Sequence, residues 1–205
     1  MKTTQLRHNA MLERIARNLS VRLSDLGIHL SVRDDEGTAV GRSEPPCEFC
    51  RIVCGTDKSC SDVTAALAAI VLEKKVPEFA TSEVGCSVVA LPVKRRRRVI
   101  GSVAACMPVA EMLDEEHLAR ICDKMQLDRE FMTRLGREAC DRAGISPNQF
   151  AGLLGQMLDA EVACHTSSDE LEILSNNLAA TYEELSVVYR ISGAMQVNQG
   201  PESYL

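Results

Sequence analysis

The stretch Gly85–Val109, GCSVVALPVKRRRRVIGSVAACMPV, decides how the chain is read. Two apolar runs, GCSVVALPV and RVIGSVAACMPV, flank the charged run KRRRR. Apolar, partly β-branched segments on either side of a short polar tip predict an antiparallel hairpin. The rest of the fold must be arranged around that hairpin.

Upstream, IHLSVRDDEGTAVG predicts two short strands joined by an acidic, glycine-containing turn, Asp34 to Gly37. Leu12, Ile15, Leu19, Leu23 and Leu26 recur at helical spacing and predict an amphipathic helix over residues 5–25, ended by Gly27. After the breaker EPP, Cys47, Cys50 and Cys54 stand at i, i+3 and i+7. If that piece is helical, they share one face, and Gly55 stops it. Ser61 is a candidate N-cap for SDVTAALAAIVLEKK.

Downstream of Pro108 the chain reads as helix throughout. Asp114 and Asp128 are candidate caps. SPNQ, Ser146 to Gln149, is a capping box with proline at the first helical position. The helix it opens is predicted to reach about Met195. Leu171, Leu174, Leu178, Leu185 and Val188 lie in heptad register, with Thr181 as the weak link, which makes a short coiled-coil candidate. The predicted organisation is a compact α+β domain over 1–108, connecting helices over 109–145 and a helical stalk over 146–205.

Composition excludes several functions. The net charge is −6, so the basic surface of a general nucleic-acid binder is missing, and the basic tip Lys94 to Arg98 does not replace it. Aromatic residues make up 3% and there is no Trp, which argues against stacking platforms and aromatic cages. No run of about 18 apolar residues occurs, and the start of the chain lacks the apolar core of a signal peptide. The expectation is a cytoplasmic chain with no membrane or nucleic-acid partner. Nine cysteines in a reducing compartment are then not a disulfide framework.

Four of those cysteines fall within Pro45–Cys60, PPCEFCRIVCGTDKSC. Three readings of them stand. CEFC has the C-x₂-C spacing of a zinc knuckle, but no second pair follows, and the ferredoxin spacing is missed. Cys60, placed just before a predicted helix start, suits a reactive thiol, because the macrodipole lowers a thiol pKa there. The third reading is packing, since free cysteine behaves as a small buried hydrophobe. Cys122, Cys140 and Cys164, isolated in helices, belong to the third class. His29 lies in a strand and is a candidate for facing a cavity. No nucleophile–base–orienter set can be assembled, so an enzyme is not expected.

FCRIV (Phe49 to Val53), Cys60, a helix, and then GCSVVALPVKRRRRVIGSVAACMP together resemble the PocR sensory domain, over roughly Leu26 to Pro108. Cys50, Cys60 and Cys86 take the family's cysteine positions, Pro92 its strand proline and Gly101 the glycine of its last strand. The chain departs from the pattern at Ser87, Val88 and Val89, where the family usually has His-Ala-Gly, and at Cys106 and Met107, where Gly-Gln is usual. The resemblance implies a PAS-like antiparallel sheet with flanking helices and a pocket for a small organic molecule near Cys50, Cys60 and Cys86. Phe49 and His29 are further candidate ligand contacts. The segment LSNNLAATYEELSVVYRIS resembles the helical linker that enters a GAF domain in bacterial signalling proteins, which implies a downstream signalling domain in the same or a partner chain.

The expected function is therefore a sensory module that relays ligand binding through its C-terminal helix, paired in a homodimer. The alternatives are a zinc, iron–sulfur or redox sensor using Cys50, Cys60 and Cys86, with Cys47, Cys54 or Cys106 as a further ligand, and an oligomerisation scaffold.

Overall fold

The computed structural model describes residues 2–41, 45, 47–56 and 59–197, without the side chains of 2–7, 54–56, 59 and 193–197. In chain order the elements are α1 (Lys2–Ser24), β1 (His29–Asp34), β2 (Ala39–Val40), α2 (Glu48–Thr56), α3 (Ser59–Lys74), β3 (Glu78–Thr81), β4 (Ser87–Arg95) and β5 (Arg98–Met107). A 3-10 turn (Ala110–Leu113) then leads to α4 (Glu115–Met125), α5 (Arg129–Ala143) and α6 (Pro147–Val197). The fold is α+β, with an antiparallel sheet, flanking helices and a long C-terminal helix.

The predicted hairpin is the centre of the sheet. β4 and β5 pair from Ser87↔Met107 to Arg95↔Arg98, and the full strand order is β2-β1-β5-β4-β3, antiparallel throughout. β5 is central and buried from Ile100 to Met107. The tip is a two-residue turn with Arg96 at φ 46° and Arg97 at φ 68°. Such turns twist correctly for a hairpin but favour Asn and Gly, so two arginines hold a costly backbone conformation there. Gly101 is required for a different reason: a Cβ on it would collide with the Arg33 carbonyl oxygen.

Alternation along the strands builds two cores. One face presents Leu30, Val32, Val89, Leu91, Val93, Val103, Ala105 and Met107. It is covered by Leu12, Ile15, Leu19 and Leu23 of α1 and by Phe150, Leu154 and Leu158 of α6. The other face presents the smaller Val88, Ala90, Ala104 and Cys106 to Leu67 and Val71 of α3, with Phe49, Met112, Leu118, Ile121 and Met132 closing around them. Small residues on the strands let α3 lie close to the sheet.

Several expectations shift. α4, α5 and the start of α6 are not connectors, because their apolar faces complete the two cores. The chain accordingly forms two compact units, Met1–Val162 and Ala163–Leu205. β3 escaped the sequence reading, being four residues long and only half-buried. α3 starts at Ser59, so Ser61 lies inside its first turn, and α2 continues past Gly55 to Thr56. Asp128 caps α5 by accepting from the Phe131 N–H at 2.7 Å, whereas Asp114 makes no side-chain cap bond. The Ser146/Gln149 box forms, each side chain accepting from the other's backbone N–H at 3.4 Å. In the second unit the heptad residues are exposed: Leu171 by 67%, Leu174 by 64% and Val188 by 58%. Among the described residues no helix is long and apolar enough to cross a membrane.

Candidate metal centre

Three elements bring three thiols together. Cys60 comes from the first turn of α3, Cys86 from the residue before β4 and Cys106 from the end of β5. Their sulfurs all lie within 4.8 Å of one another, and all three residues are buried. Two thiolates on one tetrahedral zinc, each about 2.3 Å from the ion, stand roughly 3.8 Å apart. A small contraction would therefore place one ion among them. Among the described residues this is the one group of three or more Cys, His, Asp or Glu side chains close enough to share an ion.

The local chain geometry explains the convergence. Residues 82–86 form a tight turn in which Ser82 N–H donates to the Cys86 carbonyl at 2.9 Å and Gly85 N–H donates to the Ser82 carbonyl at 2.9 Å. Gly85 takes φ +80°, and a Cβ there would stand 2.8 Å from Met112 Cα. The turn places Ser82 Oγ to accept from the Cys86 N–H at 3.1 Å and to meet Cys60 Sγ at 3.6 Å. On the other side, Cys86 Sγ is 3.5 Å from Met112 Sδ. The site is thus three thiols walled by a hydroxyl and a thioether. Neither Ser82 nor Met112 carries a spacing signal that singles it out in the sequence.

Protonation follows from this crowding. A hydrogen bond from Cys106 pulls the Cys86 thiol down, but its bond to Cys60, burial and charge on Cys60 outweigh that, and the net shift is upward. Hydrogen bonds to Cys60 and Cys86, then burial, push Cys106 well above the ordinary thiol value. Three negative charges cannot be held in so small a buried space without a cation, so a metal entering here would exchange for thiol protons.

The predicted trio was Cys50, Cys60 and Cys86. The structure keeps Cys60 and Cys86 and supplies Cys106, the candidate further ligand, as the third member. Cys50 is buried but pairs with Cys47, whose Sγ accepts from the Cys50 N–H at 3.4 Å. Cys47 is not on a helix face with Cys50. It is the residue preceding α2, and its carbonyl accepts from the Arg51 N–H at 2.9 Å. The Cys54 side chain lies outside the described residues. Phe49 is 1% exposed and packs in the core near Gly136 of α5. His29 is half-buried and stands opposite Cys106 in the β1–β5 ladder, a pairing that puts both on one sheet face. Cys122 is buried in α4, Cys140 is half-buried in α5 and Cys164 is exposed.

On the sheet face toward α3, Val88, Ala90, Ala104 and Cys106 are all at most 3% exposed. A cavity of about 500 Å³ lies beside the thiols, lined by residues including Ser82, Val84, His117, Arg120, Ile121 and Met125. Another, of about 430 Å³, is lined by residues including Cys47, Phe49, Arg51, Glu138 and Arg142. No family model, curated protein or solved structure matches the chain.

Proposed function

We propose that the chain is a non-catalytic sensory module of a signal-transduction protein, whose input is one soft metal ion held by Cys60, Cys86 and Cys106. The observation that carries this reading is the mutual 4.8 Å separation of three buried sulfurs contributed by distant parts of the chain. Thiolate and thioether donors favour Cu(I) and Zn(II) over hard cations, and the adjacent Met112 Sδ adds weight to Cu(I). A four-iron cluster suits the site less well, because such clusters take four thiolates and three sulfurs gather here among the described residues.

Occupancy has a physical route outward. Met112 stands between Cys86 and α5, where a Cβ on Gly136 would be 3.4 Å from Met112 Cε and 2.7 Å from Leu113 Cδ2. Drawing the three sulfurs inward displaces Met112, and α5 must shift because Gly136 leaves it no slack. α5 ends at Ala143, and its cap Gly144 stands three residues before Pro147, where α6 begins, so its movement reaches the long helix. A parallel pair of such helices, joined through the Leu171, Leu174, Leu178, Leu185 and Val188 stripe, would convert it into a change of register. The exposed stripe supports the expected homodimer, and the downstream signalling domain rests on the sequence resemblance alone. The antiparallel sheet with flanking helices agrees with a PAS-like module.

The test is metal titration of the reduced protein with Zn(II) and with Cu(I), in parallel with Cys60→Ser, Cys86→Ser and Cys106→Ser. One equivalent bound by the parent, and weakening of at least a hundredfold in each variant, is expected. Equal binding by all four proteins would remove the reading.

A second reading rests on the 500 Å³ cavity, whose volume suits a small organic molecule and which shares Ser82 with the thiol site. Arg120 and Lys124 on its wall, against the single carboxylate of Glu83, favour an acidic ligand. In that reading the thiols buttress the pocket, and the variants would lose ligand binding while metal has no effect.

A further inference from the structure

Cys47 and Cys50 lie outside the thiol trio, and the geometry around them is that of a reactive pair. Cys47 precedes α2 and acts as its N-cap through sulfur: its Sγ accepts the Cys50 N–H at 3.4 Å, and its carbonyl opens the helix by accepting from Arg51. A sulfur in this place faces the positive end of a helix of nine residues. The Cys50 thiol also donates to it, and this bond is the largest influence lowering the Cys47 pKa, to about 6. Burial opposes the shift, and Arg142 adds to it. Across from it, burial, Asp141, Glu111 and Cys47 itself push the Cys140 thiol up to about 11, so Cys140 stays protonated at neutral pH.

Cys47 is half-buried and opens onto the 430 Å³ cavity, whose wall carries Arg51 and Arg142 together with Glu48 and Glu138. Arg51 is bonded to Glu48 at 2.7 Å. Cys50, three residues on and 4% exposed, is shielded from solvent but touches Cys47. An accessible, activated sulfur followed by a shielded partner is the division of labour of a C-x₂-C redox pair.

We propose that Cys47 and Cys50 form a thiol–disulfide switch, distinct from the metal centre, in which Cys47 attacks a low-molecular-weight disulfide bearing carboxylates and Cys50 resolves the adduct. In the first step the Cys47 thiolate forms a bond to one sulfur of the disulfide, the S–S bond breaks, and one thiolate leaves. In the second, Cys50 gives up its proton to solvent and its sulfur attacks Cys47 Sγ, expelling the other thiolate. The pair is oxidised by two electrons and the small disulfide is reduced to two thiols. Arg142 and Arg51 supply the charge that holds the carboxylates. A disulfide needs Cβ atoms roughly 3.5–4.5 Å apart, so closure draws Cys47, the residue before α2, against the first turn of the helix.

The experiment uses the full chain, metal-free, with glutathione disulfide as oxidant, read by peptide mass spectrometry. The parent should lose two thiols and yield a Cys47–Cys50 disulfide. Cys50→Ser should stop at a single glutathione adduct on Cys47, and Cys47→Ser should form neither. Iodoacetamide labelling of Cys47 should rise with a midpoint near pH 6. The profile decides rather than the absolute rate, because nucleophilicity falls as pKa falls. Adducts on Cys164 or Cys140 while Cys47 and Cys50 stay reduced, a Cys47–Cys140 bond, or a labelling midpoint above pH 8 would overturn the proposal. The Cys50→Ser adduct and the labelling profile stand even if Cys47→Ser, which removes a cap, fails to fold.

Discussion

Metal binding at Cys60, Cys86 and Cys106 must displace protons, and the number displaced can be counted. Three thiols at the ordinary pKa of about 8.5 cost roughly 2 kcal/mol each to ionise at pH 7, or about 6 kcal/mol together. The upward shifts of Cys86 and Cys106 raise that cost further. Structural zinc sites bind with about 10–16 kcal/mol apparent free energy at neutral pH, so the ionisation cost is a large share of what the metal can supply. The consequence is a steep pH dependence. Below the thiol pKa values each pH unit should change the apparent affinity by up to about 10³-fold, or roughly 4 kcal/mol, for three protons. The affinity falls as pH falls, because protons compete with the metal for sulfur. Cys106→Ser should lower the slope to about 10²-fold per unit, with Ser82→Ala leaving it at three protons. The assay is competition with a chelator of known affinity between pH 6 and 8, paired with calorimetry in buffers of different ionisation enthalpy to count released protons. A slope of one proton or fewer, or an unchanged slope in Cys106→Ser, would refute the three-thiolate site.

Other consequences are simpler to check. In the reduced, metal-free protein Cys86 and Cys106 have raised pKa values, so their contribution is complete below the unfolded thiol pKa and is lost as pH rises beyond it; stability should fall by roughly 1.4 kcal/mol per pH unit for each thiol from about pH 8.5 upward, measured by urea midpoints. Gly85→Ala combines a positive φ with a Cβ driven against Met112 Cα, and should cost about 2–4 kcal/mol and weaken metal binding along with it. Replacing Arg96 and Arg97 by Asn and Gly relieves two left-handed residues at the hairpin tip and should raise stability by about 1 kcal/mol or more, seen as a higher melting temperature. Leu174→Glu with Leu178→Glu, both on the exposed stripe, should convert a dimer to monomer by light scattering while leaving the melting temperature of the first unit unchanged.

The sheet was legible because its signals are local. The runs around KRRRR have the length and composition of strands, and the capping box at Ser146 fixes where α6 begins. β3 was not legible: Glu78–Thr81 is an edge strand whose partner β4 supplies most of the apolar surface. The site was half legible. The family resemblance, not spacing, marked Cys60 and Cys86, but which third sulfur joins them depends on strand parity. Cys106 falls on the same sheet face as Ala104 and Val88, toward α3, and its register against Val88 is what brings it beside Cys86. Cys50 looked equivalent in the sequence. It is turned instead toward Cys47 by the start of α2 at Glu48, one residue after Cys47, which makes Cys47 a cap and Cys50 its donor. Met112 and Ser82 enter through tertiary contacts that no spacing announces.

The two thiol sites differ in what controls them, and that difference argues for sensing over a purely structural metal. A zinc finger folds only with its ion because so short a chain cannot bury enough apolar surface. Here the first unit extends to Val162 and encloses two apolar cores, one running from Met11 to Leu158 and one from Phe49 to Ala139, so the burial that a zinc finger lacks is supplied by side chains. An ion that is not needed for folding can come and go within the native state, and its occupancy then follows metal activity and pH. The Cys47–Cys50 pair answers instead to the thiol–disulfide balance. Both sites adjoin α5: the trio through Met112 near Gly136, and the pair through the cavity wall that Glu138 and Arg142 share with Cys47. If α5 is the common receiver, oxidising Cys47 and Cys50 should change metal affinity, and by linkage metal should change the midpoint of oxidation by the same factor. Measuring both factors on one preparation checks the coupling, and unequal factors or the absence of any shift would leave the two sites independent.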